Sequence, residues 1–196
     1  GRPKKGAKVW KATPRQAAFL MAGEDEVLYG GAVGGGKSDA LLIFNLLRRQ
    51  SIPGSRGLIL RRTYGELERT LILRALELLH GTGAKYQAQH HRFIFPNGSI
   101  MEFGYAETDA DVHRYLSAEY EDISIDELTQ FTEYQYLMLQ SRLRTTIPGV
   151  KCVMRAATNP GDIGHAWVKA RFIDPAPPNT SFTDPKTGLT RRYVPS

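Results

Sequence analysis

Val27-Leu28-Tyr29-Gly30-Gly31-Ala32-Val33-Gly34-Gly35-Gly36-Lys37-Ser38 sets a short apolar run against a glycine turn that ends in Lys-Ser. From Gly31 onward it matches G-x-x-x-x-G-K-S/T completely, and the residues that follow, Lys37 through Arg49, have helical spacing. Strand, glycine turn and helix in that order form a phosphate-binding loop. The glycines let the backbone turn so tightly that successive N–H groups converge on an anion, and the helix start adds its positive dipole end. In this arrangement Lys37 reaches the β and γ phosphates and the Ser38 hydroxyl is a Mg2+ ligand, with Gly31, Gly34, Gly35, Gly36 and Asp39 completing the ATP-binding set. A merely flexible turn is the competing reading, and the flanking strand and helix weigh against it.

Outward from this loop the chain alternates strand and helix. Thr13 and Pro14 start a short helix as N-cap and first helical residue, running to Met21. Gly57–Arg62 reads as a second strand, and Tyr64–His80 as a leucine-spaced helix stopped by Gly81. The segment 85–105 breaks the rhythm around Pro96-Asn97-Gly98-Ser99 and predicts an antiparallel β-hairpin insertion. Strand 121–125, helix 134–144, strand 151–157 and helix 164–172 follow. This order predicts an α/β P-loop NTPase fold, with a mostly parallel central sheet flanked by helices and decorated by the hairpin. The expected division is a basic arm over 1–12, an ATPase core over 13–173, and an irregular tail over 174–196 with no complete element, leading towards a lid and nuclease region.

Length and composition agree with one globular unit: 196 residues, 41% hydrophobic and 23% charged. The 26 Lys and Arg against 20 Asp and Glu leave a net charge of +6, which favours a polyanionic partner. No apolar run is long enough to span a membrane, and the basic start is not followed by a signal-like stretch, so a cytosolic setting is expected. The single Cys152, in an apolar run, reads as a small residue of a buried strand. The five histidines, His90 and His91 among them, lack partners at metal spacing, and no zinc is expected.

A second chemical element lies at Ile123-Ser124-Ile125-Asp126-Glu127, where two carboxylates follow an apolar strand. Neighbouring parallel strands end on one edge, so Asp126 is placed to hold Mg2+ beside Ser38, and Glu127 to orient or deprotonate the attacking water. Alone, such a pair is more often a helix cap; joined to the glycine loop it reads as a Walker B element. Thr13-Pro14-Arg15-Gln16, the glycine loop, Ile125-Asp126-Glu127 and Ala157-Thr158-Asn159-Pro160 together resemble the ATPase domain of tailed-phage terminase large subunits, glutamate-bearing P-loop ATPases. The resemblance covers residues 13 to about 172.

The resemblance implies that Gln16 contacts adenine, although on the residues alone a capping or surface glutamine is equally open. It also implies that Thr158 and Asn159 couple the γ-phosphate to the parts that grip DNA. Many members carry an arginine in the glycine loop, where this chain has Ala32 and Val33. A transition-state cation must then come from elsewhere, and a supplied arginine is worth about 10³ to 10⁵ in rate. Arg114 matches the placement of the family's arginine that reaches the neighbouring subunit's site, with Arg142 and Arg144 next in line. Arg61, Arg62, Arg69, Arg74 and Arg92 are candidates for contacts to DNA phosphates. The implied activity is ATP hydrolysis driving double-stranded DNA into a viral procapsid, in the cytoplasm of the infected bacterial host. The implied partners are a portal protein, a small terminase subunit and further copies of the chain in a ring. The family's nuclease needs a second fold of comparable size, so hydrolysis of ATP without cleavage of DNA is expected of these residues. A helicase-like or other nucleic-acid-stimulated ATPase, or a nucleotide-dependent scaffold, are the alternatives.

Overall fold

The computed structural model describes residues 10–31, 33–34 and 36–196, so Gly35 and most of the expected basic arm lie outside the described residues. Helix α1 (Pro14–Met21) begins on a reciprocal cap: the Thr13 hydroxyl accepts from the Gln16 N–H, and the Gln16 amide oxygen accepts from the Thr13 N–H. Strand β1 (Glu26–Gly30) is buried along its whole length and feeds the glycine turn, after which α2 (Lys37–Ser51) departs. Strand β2 (Arg56–Arg61) follows. The leucine-spaced stretch then forms α3 (Tyr64–Leu67), a π-helical turn (Glu68–Ile72) and α4 (Leu73–Leu79) in succession.

Next come β3 (Lys85–Gln87), β4 (Arg92–Ile94) and β5 (Ile100–Tyr105). A 3-10 turn (Asp109–Tyr115) leads into β6 (Asp122–Ile125), a second 3-10 turn (Leu128–Gln130) and α5 (Glu133–Gln140). Strand β7 (Val153–Thr158), α6 (His165–Val168) with a π-helical continuation (Lys169–Ile173), β8 (Phe182–Thr183) and β9 (Thr190–Pro195) complete the chain.

The nine strands form one sheet in the order β3-β4-β5-β2-β6-β7-β1-β9-β8. From β5 to β9 every neighbouring pair is parallel, while β3, β4 and β8 run antiparallel at the two margins. The alternation of side chains across a strand splits the core in two. Val27, Tyr29 and Ile59 pack with Phe19, Leu41 and Phe44 on one face, whereas Leu28, Leu58, Ile123 and Ile125 pack with Tyr136, Val168 and Phe172 on the other. Helices therefore cover both faces, and all parallel strands finish on one edge.

Three local expectations are corrected. The tail read as irregular contributes β8 and β9, and β9 pairs in parallel with β1 from Glu26↔Arg191 to Gly30↔Pro195. Its Arg191 and Arg192 are neutralised by Glu26 and Glu24, at 2.6 Å and 2.5 Å. The hairpin insertion is present as β3, β4 and the turn at 96–99, but β5 also joins the main sheet, parallel to β2. Cys152 is only half-buried and precedes β7 instead of lying within it.

Candidate functional site

The common edge of the parallel strands collects the residues singled out by their chemistry. The glycine turn leaves the end of β1, with Gly34 at φ +86° and Gly36 at φ +63°, backbone angles that side chains strongly disfavour. Gly36 N-caps α2, whose first residues, Lys37 and Ser38, thus face the turn. Lys37 is buried, which pushes its ammonium pKa down, against the raising pull of Glu127 and Asp126. Behind the turn, the carbonyl of Gly30 accepts from the Ser196 N–H at 2.7 Å and the Tyr193 hydroxyl at 3.2 Å, so β9 braces the loop from below.

Opposite, at the end of β6, the Ser38 hydroxyl donates to Asp126 Oδ2 at 2.7 Å. Asp126 is 1% exposed; burial raises its pKa, with Arg61 and the Ser38 hydrogen bond opposing. Glu127 follows in a left-handed conformation, φ +55°, which turns its carboxylate into the same space. Asn159 Nδ2 donates to both Glu127 oxygens, at 3.2 Å and 3.4 Å. Thr158 donates to Thr129 Oγ1 at 3.3 Å, and Thr129 in turn to the Asn159 carbonyl at 3.2 Å, joining the end of β7 to the segment just past Glu127.

Arg61, at the end of β2, is the residue whose place the sequence did not reveal. Its Nε stands 3.2 Å from Asp126 Oδ2, misaligned for a hydrogen bond, and its Nη2 donates to Glu127 Oε1 at 3.4 Å. Of the other arginines considered for DNA, Arg74 grips Asp39 through Nε and Nη2, both at 3.2 Å, and also Glu77. Arg92 donates to Gln87 Oε1, Arg62 is half-buried and Arg69 exposed.

Arg114 lies outside this cavity, on the 3-10 turn before β6, paired with Asp111 at 2.8 Å and stacked 4.3 Å over the Tyr105 ring. Arg142 donates to the Leu116 carbonyl and Arg144 pairs with Glu119. These contacts all lie away from the loop and the acids.

Two adjoining cavities meet at Gly34 and Gly36. One, of about 230 Å³, is lined by Gly34, Gly36, Lys37, Ser38, Asp39, Glu127 and Asn159. The other, of about 480 Å³, lies between α1 and the turn, against Thr13, Pro14, Arg15, Gln16, Tyr29 and Ser196. Their dimensions suit a phosphate chain and a nucleoside respectively. Gln16 borders the second, and its Nε2 donates to the Gly36 carbonyl at 3.1 Å, tying α1 to the loop. A cavity of about 540 Å³ also opens near Trp167, Arg171 and Phe182, but its Arg171 and Arg191 are already paired with Glu26. It lacks the phosphate-binding backbone of the glycine turn.

Ser38, on the wall of the smaller cavity, and Asp126, hydrogen-bonded to it, are the residues that could hold a hard divalent cation. Ser38 and Asp126 offer two oxygens in mutual contact, and among the described residues no group of three or more His, Cys, Asp or Glu gathers as a metal cluster. Mg2+ takes few protein ligands and completes its shell with phosphate and water.

No family model matches the chain, and no curated protein matches it in sequence. Solved structures do match in fold. A large terminase from a thermophilic bacteriophage superposes with a TM-score of 0.73 at 14% identity, over 95% of this chain and 46% of that one. The same terminase in complex with ADP gives a TM-score of 0.72 at 15% identity, over 94% and 45%. The large terminase ATPase domain of Thermus phage P74-26 gives a TM-score of 0.62 at 14% identity, over 95% and 80%. The chain thus has the fold of large terminase ATPase domains, and spans under half the length of the first of these terminases.

Proposed function

We propose that this chain hydrolyses ATP to drive double-stranded DNA into a viral procapsid, as the ATPase domain of a terminase large subunit. The observation that carries the reading is the contact of Ser38 with Asp126, which brings the helix leaving the glycine turn within 2.7 Å of the strand bearing the acids. The fold shared with a terminase solved with ADP, and with the same terminase solved with ATP-gamma-S, supports it.

In this reading the amides of the turn and the Lys37 ammonium bind the β and γ phosphates. Ser38 and Asp126 hold Mg2+, which when bound neutralises charge on the phosphate oxygens. Glu127 orients the attacking water and takes its proton. Its carboxylate is meanwhile held by Asn159 and Arg61, so turnover depends on how those two strand-end residues stand. Thr158 and Asn159 carry the state of the phosphate into the segment after Glu127. Gln16 borders the nucleoside. Arg114, which does not line its own cavity, supplies a cation to a neighbouring copy in a homo-oligomeric ring, which sits with its portal protein and small subunit in the host cytoplasm. Among the described residues no helix is long and apolar enough to cross a membrane, and the reading gives the chain no membrane role.

Two measurements test this. Phosphate release by the full-length protein should rise with DNA, and procapsids should be filled in an ATP-dependent way; strand separation without packaging would favour a helicase instead. Mixing Arg114→Ala with Lys37→Ala subunits should partly restore turnover if the arginine acts between copies, whereas no restoration would contradict that role.

A further inference from the structure

A second carboxylate, Asp122, lies buried at the start of β6, four residues before Asp126, and the proposed chemistry does not use it. It accepts from Arg49 Nη1 at 3.2 Å, from Arg49 Nη2, and from Arg48 Nε at 3.2 Å. The side chains of Arg49 and Asp122 are both 0% exposed. Two further donors of Arg49 reach Asn45 Oδ1 at 3.0 Å and Ser55 Oγ at 3.1 Å. Gly57, paired with Asp122 across β2 and β6, leaves the room: a Cβ there would overlap Arg49 Nη1 and lie 2.7 Å from Asp122 Oδ2.

A buried ion pair is a poor device for stability alone, since desolvation offsets most of the attraction and apolar substitutes are often as good. What a forked guanidinium on a carboxylate does supply is direction, because its two parallel hydrogen bonds close in one geometry. Helix α2 carries Lys37 and Ser38 in its first turn and Arg48 and Arg49 in its last. Strand β6 begins at Asp122 and is followed at once by Asp126. The spans between the two contacts are comparable, about 16 Å along the helix and about 13 Å along the strand. The two elements are cross-linked at both ends, by Arg49 with Asp122 below and Ser38 with Asp126 above. Apolar packing permits a helix to slide or roll on a sheet, and this fork does not.

We propose that Asp122 and Arg49 are positioning residues: they fix α2 against β6 so that Ser38 Oγ and Asp126 Oδ2 stand where one divalent cation engages both. The inference rests on reading the edge as a Mg2+-nucleotide site.

The test is an apolar exchange, Arg49→Met with Asp122→Leu, in the full-length protein, with ATP-gamma-S binding titrated against Mg2+ and thermal unfolding recorded in parallel. The expected result is a folded protein that binds the nucleotide normally without the cation but needs roughly tenfold more Mg2+ for half its effect, the scale of an outer-shell lesion. Arg49→Lys keeps the charge and loses the fork; it should shift the Mg2+ requirement in the same direction, and it carries the test if the exchange does not fold. An unshifted Mg2+ requirement in folded variants overturns the inference. Wild-type protein that takes up no nucleotide overturns the reading of the site itself, which the titration separates from the first outcome.

Discussion

The two ends of β6 hold buried acids four residues apart, in opposite circumstances. Asp122, at the start, is met by three cationic nitrogens of Arg48 and Arg49. Asp126, just past the end, has one hydroxyl, the Glu127 N–H at 3.1 Å and a cation standing askew. Around it lie an acceptor with no partner, Asn159 Oδ1, and a glutamate in a left-handed conformation. An acid that holds two elements together is neutralised on the spot, whereas an acid kept for a ligand is left short of partners, and local rules are broken beside it. Orphaned atoms alone do not locate the site, since Asn45 Nδ2 in α2 and Ser124 Oγ in β6 are also buried without a hydrogen-bond partner. The conjunction with the glycine turn does.

The contrast can be broken at five points, from the largest expected effect to the smallest. Glu127→Gln should lower turnover by about 10² to 10⁴ while leaving ATP binding intact, measured by phosphate release and equilibrium titration. Asp122→Asn strips the charge from a pair of arginines and should cost about 3 to 5 kcal/mol by denaturant unfolding. Asp126→Asn removes an under-partnered charge instead, so it should unfold no earlier than wild type although inactive; equal destabilisation by the two would erase the contrast. Gly57→Ala drives a methyl into Arg49 and should cost about 1 to 3 kcal/mol. Its control, Gly23→Ala, with open space around its Cβ and no left-handed φ, should be neutral within about 1 kcal/mol. Thr132→Ala, which removes the cap of α5 just beyond Glu127, should cost about 1 kcal/mol in thermal or denaturant unfolding.

Much of this was legible in the sequence because it is local. The glycine turn is contiguous, and its strand and helix flanks have the expected periods. Asp126 and Glu127 follow a short strand whose Ile123 and Ile125 alternate with Asp122 and Ser124, and parallel topology then brings them to the loop. What stayed hidden depends on distant pairings. Arg61 looks like one more surface charge until β2 is seen beside β6. Strand β9 follows a proline-rich stretch and carries two arginines, and only Glu24 and Glu26 make it a sheet strand. The sequence left Gln16 open between a cap and an adenine contact; in the fold it caps α1 and also touches the loop. The π-helical turns after Leu67 and Val168 preserve apolar spacing closely enough to pass for ordinary helix.

The central claim is that the turn at 34–38 and the acids at 126–127 serve one nucleotide with one cation. The most direct measurement is calorimetric titration of ATP-gamma-S into the wild-type protein and the Asp126→Asn variant, each with and without Mg2+. The account predicts uptake by both proteins, strengthened by Mg2+ only in the wild type. Absence of uptake by the wild type, or an undiminished Mg2+ effect in the variant, would contradict it.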